Sequence, residues 1–367
     1  MHYDPNWRQF IGCALALCSI EFGDVLPGDV VAGITAALRG CVAGEPGDRI
    51  PRWYTNPNLM HAWLQGHVAM TTGDDALRAS AHARLSTQVE RLLRYGDVDE
   101  YNSPTYDGID LFAIGLWAMH PPTGAFADGA ATMLPRIGER ISELYHPRFG
   151  TSCGPYIRAY GLDPHGYLSL TGLLYSVLGE PAERVLPSPI VADTAHVHDL
   201  WFLPLLQHVA PVLAPHVELS PVSQERHRVQ RFRLAHAESL LRPDLAVGWE
   251  RGRRHEASLD QYVPFTSHVA ELDGTPTAFG IMVPPETAWI DVERVGDLRF
   301  VARAEGRGDT VGVRVIGRAD LDDETGRVRM QFETPPTTVV AARSHGRDEL
   351  HLEWASNETI VEITIAG

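Results

Sequence analysis

The stretch Glu-Tyr-Asn-Ser-Pro-Thr-Tyr-Asp-Gly-Ile-Asp, residues 100–110, holds many reactive side chains close together. It combines carboxylates, two phenols, an amide and two hydroxyls around Pro104, which forbids a regular helix at this point. Gly108 permits a tight turn before the next helix begins. Such a loop between apolar helices indicates a reactive site, although a capped helix–helix connection would use the same residue types.

A second loop rich in Gly and Pro, residues 153–165, also leads into a predicted helix. If helical hairpins alternate regularly, the two loops emerge on the same face of the helical array. The second loop adds Arg158, Tyr156, Tyr160 and Asp163. For Arg158, an ion pair with Asp163 or Asp110 is an alternative to contact with a substrate.

A third group of polar residues follows a predicted helix. Asn58, His61 and Gln65 are three and four residues apart, so they line one helix face, while His67 lies off this stripe. Polar residues on a face that should point inward predict a cavity there.

A fourth group lies in the second half of the chain, where Gln261, Tyr262 and His268 interrupt a region of alternating strands. These side chains could close a substrate cleft from the sheet side. A surface loop followed by a strand is the alternative interpretation.

Together these residue types suit proton transfer. Tyrosine and histidine act as acids and bases when burial or a nearby cation tunes them. Arg158 could hold a substrate carboxylate, and Asn102 could hydrogen-bond a developing enolate. The set matches what is needed to remove a proton next to a carbonyl or carboxyl group and then to expel or rearrange a substituent.

Paired carboxylates allow a different enzyme. Glu100, Asp107 and Asp110 could include the acid and base of a glycoside hydrolase. Asp110 could equally be the N-cap of the following helix, and a non-catalytic binding module with a polar cleft is a third possibility.

Metal and cofactor motifs are weak. His196, His198 and Asp199 are close enough in sequence to bind a metal, but this spacing arises readily by chance. The sequence contains no dinucleotide fingerprint between a strand and a helix and no phosphate-binding loop motif. We therefore predict neither a metal nor a cofactor.

Charge and composition restrict the partners. The 367 residues carry a formal net charge of −16, which repels nucleic acid at long range. No apolar stretch reaches the roughly 20 residues that a membrane span needs. The four cysteines have no CxxC spacing and are expected to be reduced. We expect a cytoplasmic protein with a small-molecule substrate, while the oligomeric state is not predicted.

Hydrophobic periodicity changes along the chain. Helical spacing predicts helices at 6–21, 27–43, 56–71, 75–95, 110–120, 128–145, 164–178 and 195–214. Two-residue alternation then predicts strands at 228–234, 288–292, 311–316, 328–332 and 359–365. The predicted fold is α+β, with an array of helical hairpins resembling an α/α toroid in residues 1–220 and an antiparallel β-sandwich in residues 221–367.

In its order of domains, and in residues 100–106 and 154–163, the chain resembles the α/α-toroid lyase-like proteins, which include heparinase II/III-like and alginate-lyase-like enzymes. The resemblance implies a cleft between toroid and sheet in which β-elimination takes place next to a uronate carboxyl group. It implies Asn102 and Arg158 as carboxylate neutralisers, and Tyr106 or Tyr160 with His61 or His67 as base and acid.

The favoured function is a cofactor-independent acid–base enzyme, a lyase, isomerase or cyclase, acting on a small molecule in a cleft between the two domains. The alternatives are a polysaccharide lyase that cleaves uronate-containing glycans, a toroid glycoside hydrolase and a non-catalytic binding module. The residues predicted to bind the substrate are Asn58, Glu100, Asp110, Tyr156, Asp163, Gln261, Tyr262 and His268.

Overall fold

The structure, a computed structural model, describes residues 4–45, 49–254, 261–271, 273–317, 327–344 and 347–366. The chain divides into two compact units. The first, called here the helical unit, contains Met1–Asp99, Ile109–Ile137 and Gln207–His216. The second, called the sheet unit, contains Glu100–Gly108, Gly138–Leu206 and Val217–Gly367. The division into domains 1–220 and 221–367 stays a prediction.

The first half of the described chain is helical. Its α-helices are α1 Trp7–Phe22, α2 Gly28–Ala43, α3 Thr55–Thr72, α4 Asp75–Tyr95, α5 Asp107–Met119, α6 Gly124–Leu144, α7 Leu170–Val177, α8 Ala182–Val185 and α9 Leu203–Leu213. Helix α4 is capped at its N-terminus, because the Asp74 carboxylate accepts a hydrogen bond of 2.9 Å from the backbone N–H of Leu77.

Two predicted helices differ from the structure. The helix predicted to begin at Pro164 begins only at Leu170, since Ser169 caps it by accepting a bond of 2.9 Å from the N–H of Gly172. The segment 195–214 starts as the 3-10 helix Val197–Phe202 and continues as α9. The apolar periodicity was correct in both cases, but local capping and turn geometry set the boundaries.

The second half is antiparallel sheet. A short hairpin, β1 Tyr145–His146 and β2 Thr151–Ser152, precedes it. The further strands are β3 Arg226–Arg231, β4 His236–Arg242, β5 Leu245–Arg251, β6 Phe265–Ala270, β7 Pro276–Met282, β8 Thr287–Gly296, β9 Arg299–Gly306, β10 Val311–Gly317, β11 Val328–Phe332, β12 Thr338–Ser344, β13 Arg347–Trp354 and β14 Glu358–Ile365.

These strands form two sheets, ordered β12-β13-β10-β7-β6-β5-β4-β3 and β11-β14-β9-β8. Side chains of both sheets share one core: the ring of Phe300 on β9 lies 5.2 Å from Trp249 on β5 and 5.1 Å from Phe265 on β6. The predicted antiparallel sandwich after a helical first half is therefore confirmed. The strands that were not predicted include β4, β7, β9, β12 and β13. Strands β5 and β6 were also missed, because almost every residue in them is buried, which removes the alternation of apolar and polar residues.

The four cysteines are free: Cys13 and Cys153 are buried, Cys41 is half-buried and Cys18 is exposed. None of the described helices has both the length and the apolar character that crossing a membrane requires.

Candidate functional site

The loop of residues 100–106 is joined to the loop of residues 153–160 within the sheet unit. The side-chain amide of Asn102 donates to the carbonyls of Cys153 at 2.6 Å and Pro155 at 3.0 Å. The Ser103 hydroxyl donates to the carbonyl of Arg158 at 2.5 Å. The two chemistry-rich loops singled out in the sequence are thus brought together, with Asn102 as one of the residues that join them.

The second loop is in turn held on the sheet side of the same unit. Tyr156 and Val263 exchange both backbone hydrogen bonds, at 3.1 and 3.0 Å, and the N–H of Ala159 donates to the carbonyl of Gln261 at 2.8 Å. Gly248 on β5 makes this approach possible, because a Cβ atom there would lie 1.8 Å from the carbonyl oxygen of Gly154. Three distant segments of the chain converge at this point.

The phenols of Tyr106 and Tyr160 meet at the junction. Their hydroxyl oxygens lie 2.6 Å apart, and the Nη2 atom of Arg158 donates to the Tyr106 oxygen at 3.0 Å. Tyr106 is buried, whereas Tyr160 is half-buried. The pair therefore has one phenol enclosed beside a guanidinium and one phenol nearer to solvent.

Arg158 connects several of the predicted site residues. It forms an ion pair with Glu100, and its Nε atom donates to the side-chain oxygen of Gln261 at 3.1 Å. Its guanidinium carbon lies 4.1 Å from the centre of the Tyr106 ring. The Glu100 side chain is fully buried, and that of Arg158 is 14% exposed. The carboxylate partner is thus Glu100, which the sequence interpretation had not paired with this arginine.

His196 lies against the outer phenol. Its ring stacks on that of Tyr160, with centroids 4.5 Å apart and planes inclined by 14°. Its Nδ1 atom is 3.7 Å from a carboxylate oxygen of Asp199. Burial raises the pKa of Asp199 to about 6, and the adjacent His198 opposes this shift. Sequence reasoning considered His196 only as a metal ligand, since no local pattern reveals a ring stacked on a residue 36 positions earlier.

Three residues of this region have left-handed backbone conformations. The φ angles of Asn102, Arg158 and His196 are 53°, 67° and 62°. Asparagine tolerates this region through local hydrogen bonding, but arginine and histidine enter it at a cost. Strained backbone of this kind clusters at functional sites. The conformations are consistent with side chains that long-range contacts hold in fixed directions.

Two carboxylates of the first loop form ion pairs with arginines. Arg140 donates two hydrogen bonds to Asp107, at 2.7 and 3.0 Å, and both side chains are buried. Burial raises the pKa of Asp107, and the Arg140 cation opposes that shift. Glu100 forms an ion pair with Arg158. The assignment of these carboxylates as the acid and base of a glycoside hydrolase stays a prediction.

Tyr156 and Tyr262 were predicted to bind substrate, but both are fully buried. The Tyr156 hydroxyl donates to the carbonyl of Ser152, and burial raises the pKa of each phenol far above its ordinary value. Their environment is that of packing residues.

Asp163 and His268 line a cavity of about 530 Å³ in the sheet unit, together with Arg148, Phe149 and Tyr167. Nε2 of His268 donates to the carbonyl of Leu162 at 3.0 Å, so its Nδ1 is the acceptor nitrogen, and this nitrogen has no hydrogen-bond partner among the residues that the structure describes. Burial lowers the pKa of His268 to about 4. Tyr167 also lies next to the phenol pair, with its ring centroid 6.3 Å from that of Tyr160.

The remaining predicted residues belong to the helical unit and have partners there. The Asn58 amide donates to the carbonyls of Pro51 and Tyr54, both at 2.7 Å. Nδ1 of His61 lies 3.3 Å from Nε2 of Gln9, and burial lowers the pKa of this histidine to about 4.

His67 stacks on Trp63 with ring centroids 5.4 Å apart, and burial lowers its pKa. Asp110 is buried within the first turn of α5, which begins at Asp107, so the N-cap expectation for Asp110 was wrong. The pairing of a catalytic tyrosine with His61 or His67 stays a prediction.

Comparison with known proteins gives a family and distant structures. A family model described as Domain of unknown function (DUF8769) matches residues 1–211. No curated protein matches the sequence. Solved structures similar to the chain include heparinase III, with 9% identity and a TM-score of 0.38, covering 98% of this chain and 67% of the other.

Two further structures are similar at the same level. A mutant chondroitin AC lyase from Streptomyces coelicolor A3 has 10% identity and a TM-score of 0.33, covering 100% of this chain and 68% of the other. The endoglucanase CelQ from Clostridium thermocellum, complexed with cellotetraose, has 10% identity and a TM-score of 0.31, covering 98% and 70%. The similar structures thus include two lyases of the group that the sequence resembles and one endoglucanase, all at low structural similarity.

Proposed function

The chain belongs to the DUF8769 family, and we propose that it is an acid–base enzyme of the lyase type whose reacting groups are Tyr106, Tyr160 and Arg158. One observation carries the proposal: the Tyr106 oxygen lies between the Arg158 guanidinium at 3.0 Å and the Tyr160 hydroxyl at 2.6 Å. A buried phenol without a catalytic role needs only one partner to be satisfied. Here a cation and a second phenol are directed at the same atom.

The arrangement can relay a proton. Arginine only donates, so the Tyr106 oxygen accepts from Arg158 in any protonation state. A negative charge on that oxygen would accept from both Arg158 and Tyr160, and charge-assisted hydrogen bonds are about twice as strong as neutral ones. Tyr160 can then pass its proton to Tyr106 while it takes one from a substrate. The half-buried Tyr160 is the group that would touch the substrate.

The reaction that fits is an elimination. The step starts with Tyr106 as a phenolate that accepts from Arg158, and with His196 protonated. Tyr160 removes a proton from the carbon next to a substrate carboxyl group, and its own proton moves to the Tyr106 oxygen. The electron pair of the broken C–H bond forms a carbon–carbon double bond as the bond from the neighbouring carbon to its oxygen substituent breaks. His196, stacked on Tyr160, gives its proton to the departing oxygen and becomes neutral. The starting state returns when Tyr106 loses the relayed proton through Tyr160 and His196 takes up a proton from solvent.

The substrate class follows from this chemistry. It must carry a carboxyl group that acidifies the adjacent C–H bond and an oxygen substituent on the next carbon, as uronate saccharides and small 3-alkoxy acids do. The net charge of −16 favours a small or short substrate over a long polyanion. Asn102, Glu100 and Gln261 are positioning residues, since they hold the loop or the guanidinium. The free cysteines support a cytoplasmic location.

The test is a pair of tyrosine variants assayed on short uronate oligosaccharides and small 3-alkoxy carboxylates, following the ultraviolet absorbance of the new conjugated double bond. Tyr160→Phe and Tyr106→Phe should each lower kcat by roughly 100-fold or more, the usual contribution of a positioned acid or base.

Tyr175→Phe is the matched control, because the Tyr175 hydroxyl is also buried in the sheet unit and lies 2.7 Å from the Ser152 hydroxyl. This control should retain turnover. Unchanged turnover in both test variants, or no unsaturated product from any member of the panel, would remove the proposal.

A further inference from the structure

A group of potential metal ligands lies in the helical unit, apart from the residues proposed for catalysis. Glu21 is on the last turn of α1, His120 follows α5 directly, and His208 is on α9. The two histidine Nε2 atoms lie 3.0 Å apart. One carboxylate oxygen of Glu21 lies 3.8 Å from each of them. Three segments far apart in sequence therefore direct one donor atom each to a common point.

The helix packing brings these side chains together. Gly115 on α5 faces Val209 on α9, and a Cβ atom at Gly115 would lie 2.8 Å from the Val209 Cβ. The missing side chain lets the two helices approach closely, and His208 directly precedes Val209. The backbone at His120 is fixed as well, because its carbonyl accepts a hydrogen bond of 2.9 Å from the Trp63 indole.

We propose that Glu21, His120 and His208 bind a divalent transition-metal ion, with Zn²⁺ as the first candidate, through two imidazole nitrogens and one carboxylate oxygen. Zinc takes these ligand types at about 2.0–2.2 Å, so tetrahedral coordination separates neighbouring donor atoms by roughly 3.3 Å. The observed separations of 3.0, 3.8 and 3.8 Å lie on both sides of that value. Shifts of a few tenths of an ångström would bring all three donors into coordination.

A hydrogen bond between the two histidines is the competing explanation of their contact. It accounts for the 3.0 Å distance, because one neutral imidazole can donate to the other. It leaves the Glu21 oxygen 3.8 Å from both nitrogens, beyond hydrogen-bonding distance. A cation at the centre would engage all three groups at once.

A metal ion can reach this site, and the ligand types suit a transition metal. The side chains of Glu21, His120 and His208 are 41%, 21% and 24% exposed, so an ion can enter and a water molecule can take the fourth position. Imidazole ligands favour zinc, nickel, cobalt or copper over Mg²⁺ and Ca²⁺, which prefer oxygen. A bound ion would connect α1, α5 and α9, and would stabilise the folded chain because it binds that state.

The experiment titrates the chelator-treated full-length protein with ZnCl₂ by isothermal calorimetry and measures its Tm with and without zinc. The wild-type protein should bind one equivalent at this site, and its Tm should rise with zinc. Loss of a residue that only hydrogen-bonds a metal ligand lowers metal affinity 10–100-fold. Loss of a ligand itself should cost no less, so His208→Gln and Glu21→Gln should each weaken zinc binding by at least roughly tenfold. Both changes are at partly exposed positions, and circular dichroism checks that each variant folds.

The matched control is His198→Gln, which disrupts the other cluster of possible ligands, His196, His198 and Asp199. It should leave the zinc affinity within roughly twofold of the wild type. The proposal is overturned if zinc does not bind saturably, if binding persists in both His208→Gln and Glu21→Gln, or if only His198→Gln abolishes it. None of these measurements depends on turnover, so the metal site and the proposed lyase activity can fail separately.

Discussion

The hydroxyl oxygens of Tyr106 and Tyr160 lie 2.6 Å apart, although 54 residues separate the two tyrosines in the chain. The contact exists because backbone and side-chain hydrogen bonds join the two loops and hold the second against the sheet side. The geometry around these phenols therefore depends on a small number of joining residues, and each can be tested by substitution.

Arg158→Met should destabilise the protein, because it leaves the fully buried Glu100 carboxylate without this cation. Removing one partner of a buried ion pair costs about 3–5 kcal/mol. The free energy of unfolding of the full chain, obtained from urea titration, measures this loss of stability. The double variant Glu100→Gln with Arg158→Met should recover part of it, since neither residue of the pair then carries an unpaired buried charge. A double variant as unstable as the sum of both single variants would contradict the pairing.

Two substitutions of Asn102 should separate the contribution of its hydrogen bonds to stability from that of its backbone strain. Asn102→Ala removes two hydrogen bonds. It also places alanine, which lacks the polar side chain that helps asparagine tolerate left-handed backbone, at a φ of 53°. Asn102→Gly removes the same bonds but tolerates that angle. We expect both variants to be less stable than wild type, with the alanine variant lower than the glycine variant by about 1 kcal/mol. Equal unfolding midpoints in urea would show that the left-handed conformation is not retained in solution.

Gly248→Ala should displace the loop that carries Arg158 and Tyr160. A Cβ at this position would lie 1.8 Å from the carbonyl oxygen of Gly154, and backbone cannot rotate away as a side chain can. Overpacking of this kind costs about 3 kcal/mol or more. Gly308→Ala is the control, since nothing lies within 4 Å of its added Cβ. Thermal unfolding of both variants should show a large loss for the first and little change for the second.

The stability of the protein should fall between about pH 6.5 and pH 4 through His268. Burial lowers its pKa from 6.5 to about 4 in the folded state. Above pH 6.5 the folded and unfolded states are both neutral at this residue, so the full stability is present. As the pH falls, the unfolded state binds the proton first, and about 3 kcal/mol is lost by the time the folded pKa is passed.

The measurement is the free energy of unfolding against pH for wild type and His268→Gln. The variant should have a shallower slope over this range, though not a flat one, because burial also lowers the pKa of His61 to about 4. If the slope were unchanged in His268→Gln, the pKa of His268 would not differ between the folded and unfolded states, and the prediction would be wrong.

The sequence by itself determined what short-range patterns encode. Helical spacing located α1 to α6 within a few residues at most boundaries, and alternation located β3, β8, β10, β11 and β14. Both depend on which side of a regular element is buried, which a window of a few residues can show. Pro104, with the reactive residue types around it, likewise identified the loop that holds Tyr106. The tight turn expected at Gly108 was wrong, because Gly108 lies within α5.

Only the tertiary structure decided which reactive residues meet. It gave Arg158 its partners Glu100 and Gln261, stacked His196 on Tyr160, and placed His61 and His67 in the other compact unit. No local pattern contains this information, because the contacts join segments far apart in the chain. They also depend on left-handed backbone at Asn102 and Arg158, which propensity alone would not assign to an arginine. Residue types fix what chemistry is available, and long-range hydrogen bonds fix which groups are close enough to carry it out.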